Sequence, residues 1–549
     1  MKTFKKFLIW LAIAVGILIA IVLGIFAFMY FAPGNSVLGY EYVLTNDKSS
    51  KTFNSSTELS VGSINALEIQ TSASDIYILP NAQSGELKIE RNLNFSGLAK
   101  SVNARLNVLE SIETKSFEEK ENEYSTFRIL VDEPTGWVSA NKSYIIVRVP
   151  TNIDINTIYA KSNGGDVFYV SNSDDAVLKC DDLYLKTSGS GVIDINNSQQ
   201  ISNYYLTSGE GRVKFSQNDT ITCEQIKFYT NRGTFNMTNA SNSAVLNVNN
   251  FSVYSTEAKV GPQIIINKLN GNLNVEAQNG YYKINEIGSF SNSKVVALTL
   301  TKSNINFGNV YGFVSLLSNS GKPDNNVSIS NLTYADALTH TFEIGKGNLN
   351  ISSLTGNIAV DASSGDVNIA QATATSNIYT YTTSGNVSIN YAQSAENNKL
   401  TTLKVITHTG NVNLSNVSCG VQVKIMENSA NSALNLGFCA KATVESVVEA
   451  KNRKVNVTVT TLENRLRFRI LSTKAVQFLG PKIGEDILSG DHDYLLETVG
   501  YENFAYSYRI GYVKDESVGT HYENNSFNMW GKLLVYTTND VVVEENVLG

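Results

Sequence analysis

From Ala66 onward the chain alternates apolar and polar residues in short runs, and the runs are separated by turns rich in Gly, Ser, Asn and Asp. Period-two alternation places successive side chains on opposite faces of a strand. The most regular unit is Ser363-Ser364-Gly365-Asp366-Val367-Asn368-Ile369, a tight polar turn followed by an alternating strand. Copies centre on Gly191, Gly211, Gly385 and Gly410, each followed by a strand such as Val387-Ser388-Ile389 or Val412-Asn413-Leu414. Glycine supplies the positive φ that such turns commonly require, and the neighbouring hydroxyl and amide side chains hydrogen-bond back to the turn. Gly191 to Gly211 is 20 residues, Gly211 to Gly233 is 22 and Gly365 to Gly385 is 20. One turn and short strands in each period of this length predict a stacked solenoid.

The array extends over 288 residues from Ile153 to Ala440. At ~20 residues per rung that is roughly 14 rungs, with Val367, Val387 and Val412 in one column and Ile369, Ile389 and Leu414 in the next. Open ends of such a stack invite edge-to-edge pairing and need caps. The predicted fold class is mostly β: one N-terminal transmembrane helix, then a long parallel β-solenoid with a C-terminal β cap or small β domain.

A second pattern precedes the array. Residues 7–32 form a run of 26 without charge, Asn or Gln, longer than the roughly 20 residues that span a bilayer. Lys2, Lys5 and Lys6 precede it, so the positive-inside rule puts residues 1–6 in the cytoplasm and the bulk of the chain outside. A cleavable signal peptide is the rival reading, although the run is long and no A-x-A-like site follows it. Ala12, Gly16, Ala20 and Gly24 recur every four residues, a small-residue seam of the kind that pairs transmembrane helices into a homodimer. Small residues are also simply common in membrane helices.

The remaining boundaries follow from breaks in rhythm. Residues 33–63 read as a polar stalk with one strand near Tyr40–Leu44. Residues 64–150 read as first strands and a cap, with 97–125 an insertion, either an amphipathic helix or a long hairpin. Residues 151–440 are the repeats, loosening near Gly321-Lys322-Pro323-Asp324, and 441–549 a C-terminal cap or domain with longer strands and more Tyr and Phe.

Composition narrows the function. The 549 residues carry a net charge of −7 and only 17% charged residues, so no broad basic face is available to displace counterions from nucleic acid. Four His and four Cys without close spacing suggest neither metal nor cofactor, and no Gly-x-Ser-x-Gly elbow or phosphate loop occurs. No catalytic residue is predicted. Asp166 and Asp366 stand where Asn386 and Asn411 stand in other copies, which fits a turn role. His408 replaces Thr383 of the neighbouring repeat and reads the same way. Cys419 and Cys439 lie 20 residues apart, one repeat, so adjacent rungs would bring them within disulfide reach; two buried thiols are the competing reading. Arg465, Arg467 and Arg469 alternate along one strand, with Lys451, Arg453 and Lys454 just before, either a patch for anionic polymers or a charged face guarding an edge.

A strand with Ile69 and Ser74-Asp75-Ile76-Tyr77-Ile78 comes first, then Ile145-Ile146-Val147-Arg148-Val149-Pro150, then Gly164-Gly165-Asp166-Val167 and its copies. This order resembles the bacterial putative-adhesin family of β-solenoid domains, over about residues 60–440. The resemblance implies a membrane-anchored, extracytoplasmic solenoid near cell-envelope systems, and it transfers no catalytic residues because the motif specifies turns. The expected function is adhesion to a cell-surface polymer or protein. A scaffold or stress sensor binding a membrane partner is the alternative, and a polysaccharide lyase the third. The repeat turns themselves are expected to build the rod, with any ligand bound elsewhere.

Overall fold

A computed structural model shows a mostly β protein: one apolar N-terminal helix, then a long parallel β-solenoid of about 12 turns. It describes residues 2–546 apart from 32–35, 38, 82–84, 119–121, 171, 174–175, 197–200, 217–218, 239–242, 258, 320, 335–337, 393–400, 427–432, 439–445, 451, 461–465, 473–475, 480–499, 502–503, 506, 513–530 and 538. The turns number fewer than the expected 14 because rung length varies. Gly347, Gly365, Gly385 and Gly410 are separated by 18, 20 and 25 residues, the extra residues falling in connections between strands.

The chain divides into two compact units, Met1–Asn239 and Ala240–Gly549. In the first, α1 (Lys2–Phe31) includes the stretch Ile9–Phe31, long and apolar enough to cross a membrane. Residues 40–53, expected to belong to a stalk, instead form the 14-residue strand β1 (Tyr40–Phe53). It runs antiparallel to a long strand, β4 (Leu87–Lys100), that follows β2 (Ala66–Thr71) and β3 (Asp75–Asn81). Of the two readings for the insertion the hairpin holds: β5 (Asn107–Ser116) pairs antiparallel with β6 (Glu123–Asp132). Val102, Leu106 and Leu109 are spaced as on a helix face, but the first two precede β5. Next come β7 (Gly136–Ala140) and β8 (Tyr144–Pro150), both antiparallel to β4. β8 is parallel to β3, and β6 is parallel to β2. Antiparallel strands therefore cover the parallel stack on this side. From β9 (Thr157–Ser162) and β10 (Val167–Val170) the rungs proceed in register, with Val167 beside Ile76 and Ile193, and Ile193 beside Val213.

In the second unit Leu349, Val367, Val387, Val412 and Leu434 stack in one column, and Ile351, Ile369, Ile389, Leu414 and Leu436 in another, all at 2% exposure or less. The tail does not begin a separate unit at residue 441. Ser446–Ala450 and Lys454–Thr460 continue the parallel stack on Gly420–Ile425 and Ala433–Phe438. The last strands, Gly531–Thr537 and Val541–Asn546, then pair on one side with Ser446–Ala450 and Lys454–Thr460, and on the other with Leu466–Ser472 and Val476–Leu479. The chain end is thus slotted between rungs that precede it in sequence. A parallel stack permits this, since any alternating strand of suitable length satisfies the hydrogen bonds of both neighbours.

The repeated glycines do not serve as positive-φ residues. None of Gly165, Gly191, Gly211, Gly365, Gly385 and Gly410 has a φ in the left-handed region. What they share is contact. A Cβ on Gly191 would lie 2.3 Å from the carbonyl oxygen of Gly165, and one on Gly211 would lie 1.8 Å from that of Gly191. Gly365, Gly385 and Gly410 meet the carbonyls of Gly347, Gly365 and Gly385 at 1.6–1.8 Å in the same way. Each glycine is required because the turn beneath it comes too close for a side chain.

The position after the glycine forms a second ladder. Asp366 Oδ1 accepts the backbone N–H of Asn386 at 2.7 Å, and Asn386 Oδ1 accepts that of Asn411 at 3.0 Å. Below them Asn348 Oδ1 accepts from the N–H of Asp366, and above them Asn411 Oδ1 accepts from that of Ala433. A side-chain oxygen is needed there, and Asp and Asn both supply one, which is why they interchange along the chain.

Candidate functional site

The site candidate is built where the repeat rhythm loosens. Ser318, Asn319 and residues 321–323 precede strand Asp324–Thr333, and strands Thr339–Gly345 and Asn357–Ala362 lie on adjacent rungs. Between them opens a cleft of about 750 Å³ whose lining includes Ser318, Asn319, Lys322, Glu343, Lys346 and Asp361, together with Gly345 and Ser363. Glu343 and Asp361 are register partners, so parallel stacking sets two carboxylates side by side. Glu343 Oε2 accepts the N–H of Ser318 at 2.8 Å, which ties the loop to the strand. Burial, and next the charge of Glu343, push the Asp361 carboxyl above its ordinary range. Lys322 and Lys346 supply the opposite charge on the same lining.

The Gly345 part of the lining is fixed by local contacts. Gly345 has φ +62°, where a side chain would be strained and its Cβ would lie 2.0 Å from the carbonyl of Pro323. Its own carbonyl accepts the N–H groups of Ser363, Ser364 and Gly365 at 2.8–3.1 Å. One carbonyl thereby pins the turn of the signature repeat. Ser363 lines the cleft, so the repeat turn contributes to its lining as well as to the rod. The mixed lining suits a polar ligand with several hydroxyl, amide or charged groups. Sequence reasoning noted Gly321-Lys322-Pro323-Asp324 only as a loosening; the Glu343–Asp361 juxtaposition depends on register, and no local motif announces it.

The residues singled out from sequence fall in different places. Gly165, Gly191, Gly211, Gly365, Gly385 and Gly410 sit in the rung turns, and Asp166 and Asp366 accept backbone N–H groups of the next rung. His408 stands beside the Tyr381 hydroxyl, 3.3 Å from Nε2. His340 is buried, its Nδ1 accepting the N–H of Val314 at 3.2 Å, and burial lowers its pKa to about 4. Ala12, Gly16, Ala20 and Gly24 lie on the exposed surface of α1, with nothing within 4 Å of a Cβ built on Gly16 or Gly24. Cys419 is buried, while Cys439 lies outside the described residues. Arg465 lies outside them too, and Arg467 and Arg469 are placed only as strand backbone, in Leu466–Ser472.

Arg453, grouped from sequence with this basic run, is instead fully buried. It donates through its two terminal nitrogens to the carbonyls of Gly410 at 3.1 Å and His408 at 3.3 Å. The turn carbonyls point toward later rungs and the N–H groups toward earlier ones, so each end of a turn ladder leaves groups to satisfy. In the first unit the N–H groups of Ala73 and Ser74 are taken by the buried carboxylate of Glu133. Burial pushes that carboxyl up, against the opposing pull of its donors. Among the described residues no group of three His, Cys, Asp or Glu side chains is placed to hold a metal ion.

The family comparison agrees with the fold. Residues 64–285 match the Toastrack DUF4097 family, a β-solenoid domain of unknown function. The match takes in the first part of the span over which the motifs carried the resemblance. No curated protein matches the chain. Among solved structures, the chain is similar to a putative adhesin from Bacteroides fragilis, at 15% identity and TM-score 0.27, covering 52% of this chain and 98% of that one. It is also similar to a putative cell adhesion protein from Clostridium sporogenes, at 12% identity and TM-score 0.21, over 44% and 100% of the two chains. A third is described as a putative lipid binding protein from Parabacteroides distasonis, at 10% identity and TM-score 0.19, over 63% and 97%.

Proposed function

We propose that this chain is a single-pass membrane protein, N-terminus inside, whose extracytoplasmic solenoid acts as a non-enzymatic adhesion or binding surface. The cleft lined by Glu343, Asp361, Lys322 and Lys346 is its contact point for a polar cell-surface polymer or protein. The observation that supports this is a cleft lining of mixed charge beside a turn pinned by the Gly345 carbonyl, a polar recess on a stacked scaffold. Loops positioned by a rigid frame are where binding residues concentrate. The apolar run of α1, preceded by Lys2, Lys5 and Lys6, supports the anchor and its orientation. The full chain in detergent, probed on an array of surface glycans and envelope polymers, tests it. Binding should appear and should fall with Glu343→Gln plus Asp361→Asn, or with Lys322→Ala plus Lys346→Ala. Binding indifferent to both pairs would move the contact point away from the cleft.

A scaffold role, binding a membrane partner through residues 1–32, predicts capture of that partner by the anchor alone. The lyase reading keeps one specific observation: carboxylates and ammonium groups share a concave lining, as β-elimination of a uronic-acid polymer would need. Accumulation of unsaturated, ultraviolet-absorbing product from a polyuronate, abolished by Lys322→Ala or Lys346→Ala, would favour that reading over adhesion.

A further inference from the structure

The first unit holds an exposed apolar surface that the adhesion reading does not use. Tyr42 of β1, Leu98 of β4 and Trp137 of β7 are side by side across three antiparallel strands, and so share one face. The opposite face is closed, with Val43, Ala99 and Ala104 buried against Val138. On the open face Trp137 is 75% exposed although it stacks on Tyr40, ring centroids 5.5 Å apart, and Leu44 is 71% exposed. At the end of β4 a single 3-10 turn, Ser101–Asn103, presents Val102 at 94% exposure, between the exposed cations of Lys100 and Arg105.

Three contacts locate this face relative to α1. Phe26 and Tyr30 both meet the ring of Tyr42, at 6.0 and 5.0 Å between centroids, so β1 lies against the last turns of the helix. Ser36, five residues after the helix ends, accepts a hydrogen bond from Ser101 at 2.8 Å, directly beside Val102. A sheet held at that height on a membrane-crossing helix stands at the level of the headgroups. There Trp and Tyr are favoured, apolar tips enter the acyl boundary and Lys or Arg reach phosphates.

We propose that this face, with Trp137, Tyr40, Leu44 and Val102 as its apolar contacts and Lys100 and Arg105 as its cationic rim, docks on the outer leaflet of the bilayer that α1 crosses. The body is thereby seated on the membrane at a set orientation. This inference rests on α1 being a retained anchor, and the experiment separates the two.

The full chain is placed in nanodiscs of phosphatidylcholine and phosphatidylglycerol, some of it with lipids brominated near the glycerol end of the acyl chain or near its methyl end. One protein keeps Trp137 as its only tryptophan (Trp10→Phe, Trp530→Phe); a second carries a tryptophan at mid-helix (Leu18→Trp with Trp10→Phe, Trp137→Phe and Trp530→Phe). The expected result is blue-shifted Trp137 emission quenched most by glycerol-end bromines, and a mid-helix probe quenched most by methyl-end bromines. Val102→Asp with Leu44→Asp should abolish most of the Trp137 quenching and leave the mid-helix probe unchanged. Quenching at mid-helix without quenching of Trp137 overturns the docking face and keeps the anchor. Absence of both overturns the anchor and the docking with it.

Discussion

Arg453 holds, three residues after Ala450, the place that Gly410 holds after Thr407, and its side chain reaches across the intervening rung to the Gly410 carbonyl at 3.1 Å. The glycine ladder of the second unit therefore ends on a buried guanidinium. A charged donor there meets turn carbonyls, much as cations favour the C-terminal end of a helix.

Replacing that cap should be costly. Arg453→Met removes the guanidinium donors to the carbonyls of Gly410 and His408, and the expected loss is about 2–4 kcal/mol. Arg453→Lys keeps the charge but not the two-armed fork and should recover only part of it. Hydrogen exchange of the amides in strands 402–417 and 446–460 reads the effect locally, which suits a repeat array that need not unfold as one unit.

The adjacent pair Gly164 and Gly165 gives a sharper test of why the motif needs glycine. A Cβ on Gly164 has only an ordinary contact, 3.4 Å to the Ser72 carbonyl oxygen, whereas on Gly165 it falls 2.4 Å from that of Ser74. Gly164→Ala should stay within about 0.5 kcal/mol of the parent, while Gly165→Ala should lose about 2 kcal/mol or more by thermal unfolding. Equal effects would show that backbone freedom, and not contact, explains the glycines.

In the side-chain ladder, Asp366 also accepts from the Asn386 amide at 3.0 Å. Asn386→Asp preserves the acceptor for Asn411 but stacks a second carboxylate on Asp366. The expected cost is about 1 kcal/mol at low salt, shrinking as salt is raised. Asp366→Asn should be nearly neutral. Thermal midpoints at two ionic strengths decide both.

His340 predicts a pH dependence. Its pKa falls from the ordinary 6.5 to about 4 on burial, so the unfolded chain binds the extra proton first. Stability from this group is complete above about pH 6.5 and is lost as pH falls toward 4, by up to about 3 kcal/mol. The fall in thermal midpoint over that window should shrink in His340→Gln. An unchanged slope would assign the acid sensitivity to the carboxylates.

Much of this architecture was legible in the chain because it rests on local, repeated constraints. Alternation gave the columns of Val367, Val387 and Val412, and spacing gave the rungs, since each strand meets its neighbours one period away. The glycines were visible, but their reason was not, because the collision that demands them is with a residue at least 18 positions earlier, and 91 earlier for Gly165. Connections of changing length made the turn count overshoot.

The sequence by itself determined that the protein stacks alternating strands behind one apolar helix. Only the tertiary structure decided that residues 40–53 form a sheet layer, that the C-terminal strands slot between earlier rungs, and that Glu343 meets Asp361 while Arg453 is buried. The physical reason is that strand alternation specifies which face a residue takes, whereas which rung lies next to it is a choice among many equally hydrogen-bonded neighbours. That choice is made by loop length, caps and packing, and it is there that the cleft and the exposed apolar face of the first unit arise.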